Sequence, residues 1–282
     1  MNALIPGILL LTIATGLLPA AEDGSFDKSV TVSGPVDLDV KTDSGGITIR
    51  QGNSGTVRVH AILKADHGWF GSGDGEARIR ELEQHPPVEQ NGNHVRVGYA
   101  SRNLLDNISM RLEIETPADT QLRARADSGG IHVDGIQGPV DCKTDSGGVE
   151  INDVGSNVRA NADSGGIHVR NVKGSLFTHA DSGGIDATDI DGSIDAQSDS
   201  GSLRLVQTKP ATIHANAASG SVTVTLAHGT GYDVSIETES GRISVPQMTV
   251  NSSLSSHHVE GKIGGGGPMV KIKAESGSVT ID

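Results

Sequence analysis

The sequence predicts an all-β fold: a single-stranded β-helix or β-solenoid with 18-residue turns, plus a short helix-containing excursion near its N-terminal end. Three observations carry this. The tetrapeptide Asp-Ser-Gly-Gly begins at Asp43, Asp127, Asp145, Asp163 and Asp181, a variant begins at Asp199, and from 127 to 199 every step is 18 residues. Between motifs, apolar and polar residues alternate over two short runs, the period of a strand with one buried face. The composition suits a thin aliphatic core, with 2% aromatic residues and 38 glycines but no Gly-X-Y period.

One repeat shows why the period exists. After Asp127-Ser128-Gly129-Gly130 come Ile131-His132-Val133, a turn-rich stretch around Ile136, and Val140-Asp141-Cys142-Lys143-Thr144. The next repeats supply Val149, Ile151, Val154 and Val158, then Ile167, Val169, Val172 and Leu176, then Ile185, Ala187, Ile190 and Ile194. Each turn thus offers two short strands with an aliphatic corner residue between them. One turn cannot bury its apolar side alone, so turns must stack, at about 4.8 Å per strand. A left-handed hexapeptide helix shares the 18-residue turn but needs an aliphatic every sixth residue, and from Ile131 that places Gln137 and Lys143 in the core.

The residues assigned to the repeated bend are Asp43, Ser44, Gly45 and Gly46; Asp127, Ser128, Gly129 and Gly130; Asp145, Ser146, Gly147 and Gly148; Asp163, Ser164, Gly165 and Gly166; and Asp181, Ser182, Gly183 and Gly184. Both glycines are expected to permit positive φ, and the Asp and Ser side chains to bond nearby backbone N–H groups. Gly135, Asp153, Asn171 and Asp189 share the second bend and fit the left-handed region. The motif decays to Ala218-Ser219-Gly220-Ser221, Glu239-Ser240-Gly241-Arg242 and Glu275-Ser276-Gly277-Ser278. The last gap is two periods, which predicts a turn near His258 that has lost its signature.

The flanks divide the chain into residues 1–21, read as a signal peptide, and 22–282, read as the solenoid domain with 62–108 as a non-repeating excursion or cap. Residues 4–18 are almost wholly apolar and lead into Pro19-Ala20-Ala21 and then Glu22-Asp23, as in a secretory signal. No transmembrane span is expected in the mature chain. Within the excursion, Glu76 to Gln84 reads as a helix closed by Pro86-Pro87, and the runs around Val95 and Met110 rejoin the stack. Trp69 and Phe70, in a Gly-rich loop outside the repeat, are either an exposed contact patch or the plug of a capping element. Gly264 to Gly267 and Pro268 read as a loop in the penultimate turn.

Taken together, the lead-in strand, the excursion and the Ser-Gly-rich turns resemble the bacterial "putative adhesin" family of exported β-solenoid domains of unknown function. The resemblance covers most of residues 25–282. It implies an exported, periplasmic, cell-surface or secreted β-solenoid, brings no catalytic residues with it, and suggests an envelope-stress accessory role as one reading.

The chemistry available is sparse. A net charge of −13 opposes nucleic-acid binding, and a single cysteine, Cys142, allows no internal disulfide. The Asp column lacks the Gly-Gly-x-Gly-x-Asp pattern of calcium β-rolls and reads as turn capping. His132, Glu150, His168, Asp186 and Arg204 fall in one outward row, where the two histidines stand two strands apart, about 9.6 Å, too far for one ion. No cofactor or metal set is expected. A catalytic acid should break the repeat, whereas here the prominent acids are the repeat, and aromatic sugar platforms are few. The expectation is a non-catalytic structural or adhesin-like binding module presenting its faces to an envelope or extracellular ligand, whether protein, polymer or lipid headgroup. The alternative is a carbohydrate-active enzyme on a β-helix.

Overall fold

A computed structural model describes residues 24–65, 75–245, 248–255 and 257–282. Among these, two long sheets of 12 and 13 strands face each other across a narrow core. Face one carries, in order, Ile131–Asp134, Val149–Val154, Ile167–Val172, Ile185–Ile190, Leu203–Gln207 and Val222–Thr225. Face two carries Thr120–Ser128, Val140–Ser146, Val158–Ser164, Leu176–Ser182, Ile194–Ser200 and Ile213–Ser219. Neighbouring strands in these runs are parallel and in register, apart from one register shift between Ala187 and Ile190 where Ile185–Ile190 meets Leu203–Gln207. The solenoid expected from the repeat is therefore present.

The core is a set of files running along the axis. Ile131, Val149, Ile167, Ile185, Leu203 and Val222 pair in sequence and are each 0–1% exposed. The opposite sheet contributes Leu122, Val140, Val158, Leu176, Ile194 and Ile213. Ile136, Val154, Val172 and Ile190 fill the corner between the sheets, all buried. Next to the Asp-Ser-Gly-Gly bend the sheets converge, and only small residues fit: Ala126, Thr144, Ala162, Ala180, Ser198 and Ala217. That taper is why the chain needs so few aromatic residues.

In the next coil Gln207 takes the corner position opposite Ile190 and is also buried. Its amide donates to the carbonyls of Gly192 and Ala211 at 3.0 and 3.2 Å, and its Oε1 accepts from the hydroxyl of buried Tyr232 at 3.3 Å. A polar group is tolerated there because both ends of the amide are bonded.

The ends of the stack depart from chain order. The first coil, Val36–Ser44 with Ile47–Gln51, lies against Thr120–Ser128 and Ile131–Asp134. Beyond it, His94–Val97 extends face two, while Ile108–Thr116, Thr56–Ala65 and Gly24–Thr31 extend face one, the last two antiparallel. The expected helix is found at Gly75–Gln84. It buries Ile79 and Leu82 and its Glu83 accepts the backbone N–H of Ser25 at 3.0 Å, so it covers the open end beside the outermost strand.

The C-terminal end corrects the sequence reading. No degenerate turn lies near His258. Met248–Leu254 and His258–Ile263 instead form an antiparallel pair laid against Tyr232–Ser240, and Gly264 to Pro268 leads from it into the last coil. That coil, Met269–Ser276 with Val279–Ile281, is inserted between the 213–225 coil and the 232–244 coil. The antiparallel pair covers the free edge of Tyr232–Ser240 and leaves Met248–Leu254 as the outermost strand of that sheet.

Candidate functional site: a stacked bend and two polar faces

The first glycine has positive φ in eight of the nine bends, from +113° at Gly45 to +155° at Gly277, with Gly201 the exception. A Cβ on Gly129, Gly147, Gly165 or Gly183 would stand 2.1–2.3 Å from the carbonyl oxygen of the glycine stacked against it. Hydrogen and only hydrogen fits. The second glycine is different, and here the expectation of two positive-φ glycines is corrected. Gly46, Gly130, Gly148, Gly166 and Gly184 do not have positive φ, and a Cβ there would meet its nearest neighbour at 3.1–3.4 Å. Ser202, Ser221, Arg242 and Ser278 occupy that position in the other turns. In the second bend Gly135, Asp153, Asn171 and Asp189 all have φ between +54° and +78°.

The bend is closed by backbone bonds from coil to coil. The N–H groups of Gly129, Gly147, Gly165 and Gly183 donate to the carbonyls of Ser146, Ser164, Ser182 and Ser200 at 2.8–2.9 Å. Where the residue before Asp carries a hydroxyl, it adds a bond across the taper: Thr144 to the Gly129 carbonyl at 2.9 Å and Ser198 to that of Gly183 at 3.0 Å. The carboxylates meet side chains. Lys41 lies 2.8 Å from Asp43, Lys143 lies 3.5 Å from Asp145, and His179 lies 2.7 Å from Asp181. A column of basic residues on face two, Lys41, Arg125 and Lys143, thus runs beside the acidic column. Trp69 and Phe70 lie outside the described residues.

Face one displays a row of alternating sign. Asp27, His60, Glu113, Thr48, His132, Glu150, His168, Asp186 and Arg204 sit on successive strands. Neighbours pair across strands, at 2.9 Å for Asp27 and His60, 3.3 Å for His132 and Glu150, and 3.3 Å for Asp186 and Arg204. The Asn152 amide first, then the His132 and His168 rings, hold the Glu150 carboxyl below the usual range. At one end Asp27, Arg50, Arg58, His60, Glu113 and Glu115 line an open groove of about 330 Å³. Among the described residues no group of three or more His, Cys, Asp or Glu side chains is arranged to hold a metal ion.

Face two has two characters. Toward the N-terminal end it is a dense ionic network. Asp37 takes His94 and Arg123 at 2.9 Å each, and Asp39 takes the Tyr99 hydroxyl at 2.8 Å, with Arg96 over the Tyr99 ring. Burial, then the bond to Asp39, raises the Tyr99 pKa. Midway, the network gives way to a neutral patch. Arg159, Phe177, Asp195 and His214 form one outward row, and Asn161, His179, Gln197 and Asn216 form the next. Phe177 is 39% exposed, and Arg159 lies 5.4 Å from its ring centre. The sequence alone assigned Phe177 no role. Its signal was a single ring at the column position that Arg159 and Asp195 occupy in neighbouring repeats. Two strands away, in the inward file of Ala160 and Thr178, Cys142 is fully buried, and burial pushes its thiol pKa up.

These features define a class: an all-β solenoid of in-register coils with two broad polar faces. The chain belongs to the Toastrack DUF4097 family, whose model matches residues 36–282. Solved structures similar to it include a "putative adhesin" from Bacteroides fragilis, at 14% identity over 92% of this chain and 97% of that one, TM-score 0.49. Another is a "putative lipid binding protein" from Parabacteroides distasonis, at 10% identity over 92% and 97%, TM-score 0.49. A "putative cell adhesion protein" from Clostridium sporogenes matches at 12% identity over 91% and 98%, TM-score 0.30. No curated relative matches the chain. Among the described residues no helix is long and apolar enough to cross a membrane.

Proposed function

We propose that the protein is an exported, non-catalytic binding module that presents its solenoid faces to an envelope or extracellular ligand. The observation that carries this is the form of the polar side chains. They stand in flat, outward rows in strand register, and in one row of face one Asp27 pairs with His60, His132 with Glu150 and Asp186 with Arg204 across strands. A surface of that kind suits an extended partner, since small-molecule sites are concave with converging polar groups. The apolar segment at residues 4–18, followed by Pro19-Ala20-Ala21, supports export.

The test is co-sedimentation of the full chain with cell envelopes of the producing organism, together with product analysis on a polysaccharide panel. Retention by envelopes without any bond cleavage is expected. Cleavage of any polymer overturns the non-catalytic reading, and absence of retention overturns the binding reading.

A further inference from the structure

We infer that the neutral patch in the middle of face two binds a linear, uncharged glycan lying along the solenoid axis, with Phe177 as its stacking platform. This rests on the binding-module reading and names the ligand class for one face.

Four observations converge. Phe177 is one of two large hydrophobic side chains exposed among the described residues, the other being Met269 near the C-terminal end. Arg159 borders its ring on one side and Asp195 pairs with its strand position on the other, so the ring is held on a flat sheet without a cluster of apolar neighbours. The adjacent row supplies the amides of Asn161, Gln197 and Asn216, which make no side-chain hydrogen bond to any described residue. In the network around Asp37 and Asp39 the polar side chains are spent on each other, whereas here three amides keep donors and acceptors for a partner. Finally, the eight-residue grid carries one formal positive charge, Arg159, and one negative, Asp195, in a chain of net charge −13.

The occupant must therefore offer an apolar face to one ring and hydroxyls at regular intervals to the amides, and carry no net charge. Pyranose chains do this: the axial C–H face of one unit covers an aromatic ring while equatorial hydroxyls reach sideways. The strands repeat at about 4.8 Å, so the four strands of the grid span about 14 Å and take two to three sugar units. Arg159 and Lys143 each neighbour an aspartate, while Lys271 and Lys273 border the patch at His214 and Asn216, so a phosphate-bearing lipid surface would engage that edge rather than the ring and its amides. A protein partner would be expected to bury a larger set of aromatic or aliphatic anchors than one ring.

The experiment is affinity electrophoresis of the full chain in gels containing soluble linear polysaccharides: a β-glucan, a neutral arabinoxylan, a glucomannan, and alginate as the charged control. Retardation by at least one uncharged polymer but not by alginate is expected. Phe177→Ala should weaken it about tenfold, as loss of a central aromatic contact does. Gln197→Ala and Asn216→Ala should weaken it severalfold, and Arg80→Ala on the helix Gly75–Gln84, away from both faces, should leave it unchanged. Phe177 is exposed, so Phe177→Ala should keep the wild-type circular dichroism spectrum and melting temperature.

No retardation by any uncharged polymer, or equal retardation of Phe177→Ala, overturns the proposal. Envelope sedimentation separates the two levels. If wild type and Phe177→Ala sediment equally while no glycan retards either, the glycan inference falls and the binding module stands. If neither sediments and no glycan binds, both fall.

Discussion

Exchanging Gly147 and Gly148, one at a time, for alanine tests the stacked bend most sharply. The two positions are adjacent and carry the same residue, yet they meet different surroundings. At Gly147 φ is +147°, and the new Cβ would stand 2.3 Å from the carbonyl oxygen of Gly129 and 2.5 Å from its carbon. The backbone strain costs about 1–3 kcal/mol. Forcing the coils apart to relieve an overlap of about 1 Å adds about 1–3 kcal/mol, the range for overpacked interiors. A midpoint of about 4 kcal/mol corresponds to a fall in Tm of roughly 8–16 °C for a domain of this size. At Gly148 the Cβ stands 3.3 Å from the Gly166 carbonyl oxygen, and φ is not in the positive region. Alanine there also restricts the unfolded chain, so the net change should lie within about 1 kcal/mol.

Circular dichroism melts give the stability, and amide exchange at Gly129 and Gly147 reports the bonds to Ser146 and Ser164 directly. Faster exchange confined to Gly147→Ala is the expected pattern. A Gly147→Ala melt within about 2 °C of wild type, or an equal fall for Gly148→Ala, refutes the reasoning.

Other expectations follow from single groups. The Thr178 hydroxyl is buried with no hydrogen-bond partner, so Thr178→Val should stabilise by about 1 kcal/mol, read as a higher Tm. Cys142 should resist thiol reagents in the native state and react only on unfolding, because burial disfavours its thiolate. Asp191 accepts from Lys209 at 2.6 Å and from Thr208, which together hold its carboxyl below the usual range. Its contribution is therefore full above the unfolded carboxyl value near pH 4 and is lost as pH falls through the lower folded value. The stability gap between wild type and Asp191→Asn should close over that acid range, as followed by denaturant melts at several pH values. Asp145→Asn should shift stability by no more than about 0.5 kcal/mol, since its lysine contact is a surface one. EDTA should leave the melt unchanged, because backbone bonds close the bends.

Much of the fold was legible because a parallel solenoid writes its geometry into spacing. Ile131, Val149, Ile167 and Ile185 are 18 apart in sequence and one strand apart in space. The ends were not legible, since alternation such as Val259 to Ile263 reads the same for parallel and antiparallel pairing. Likewise nothing in residues 36–51 marks 120–134 as its neighbour, because either edge of a coil can pair with the next. The asymmetry of the two glycines did leave a trace. Gly45, Gly129, Gly147, Gly165, Gly183, Gly201, Gly220, Gly241 and Gly277 never vary, while the following position becomes Ser202, Ser221, Arg242 or Ser278. Face two was harder to read, since its amides and Phe177 acquire meaning only once strand register places them in adjacent rows.

Electron–electron distance measurements between spin-label pairs on face one address the stacking most directly, in a Cys142→Ser background. Labels at 132 and 204 are four strands apart and should report about 19 Å, and labels at 48 and 280 are seven strands apart and should report about 34 Å. In-register coils predict two narrow distributions in that ratio. Broad distributions, or a 48–280 distance well away from 34 Å, would contradict both the register and the inserted order of the end coils.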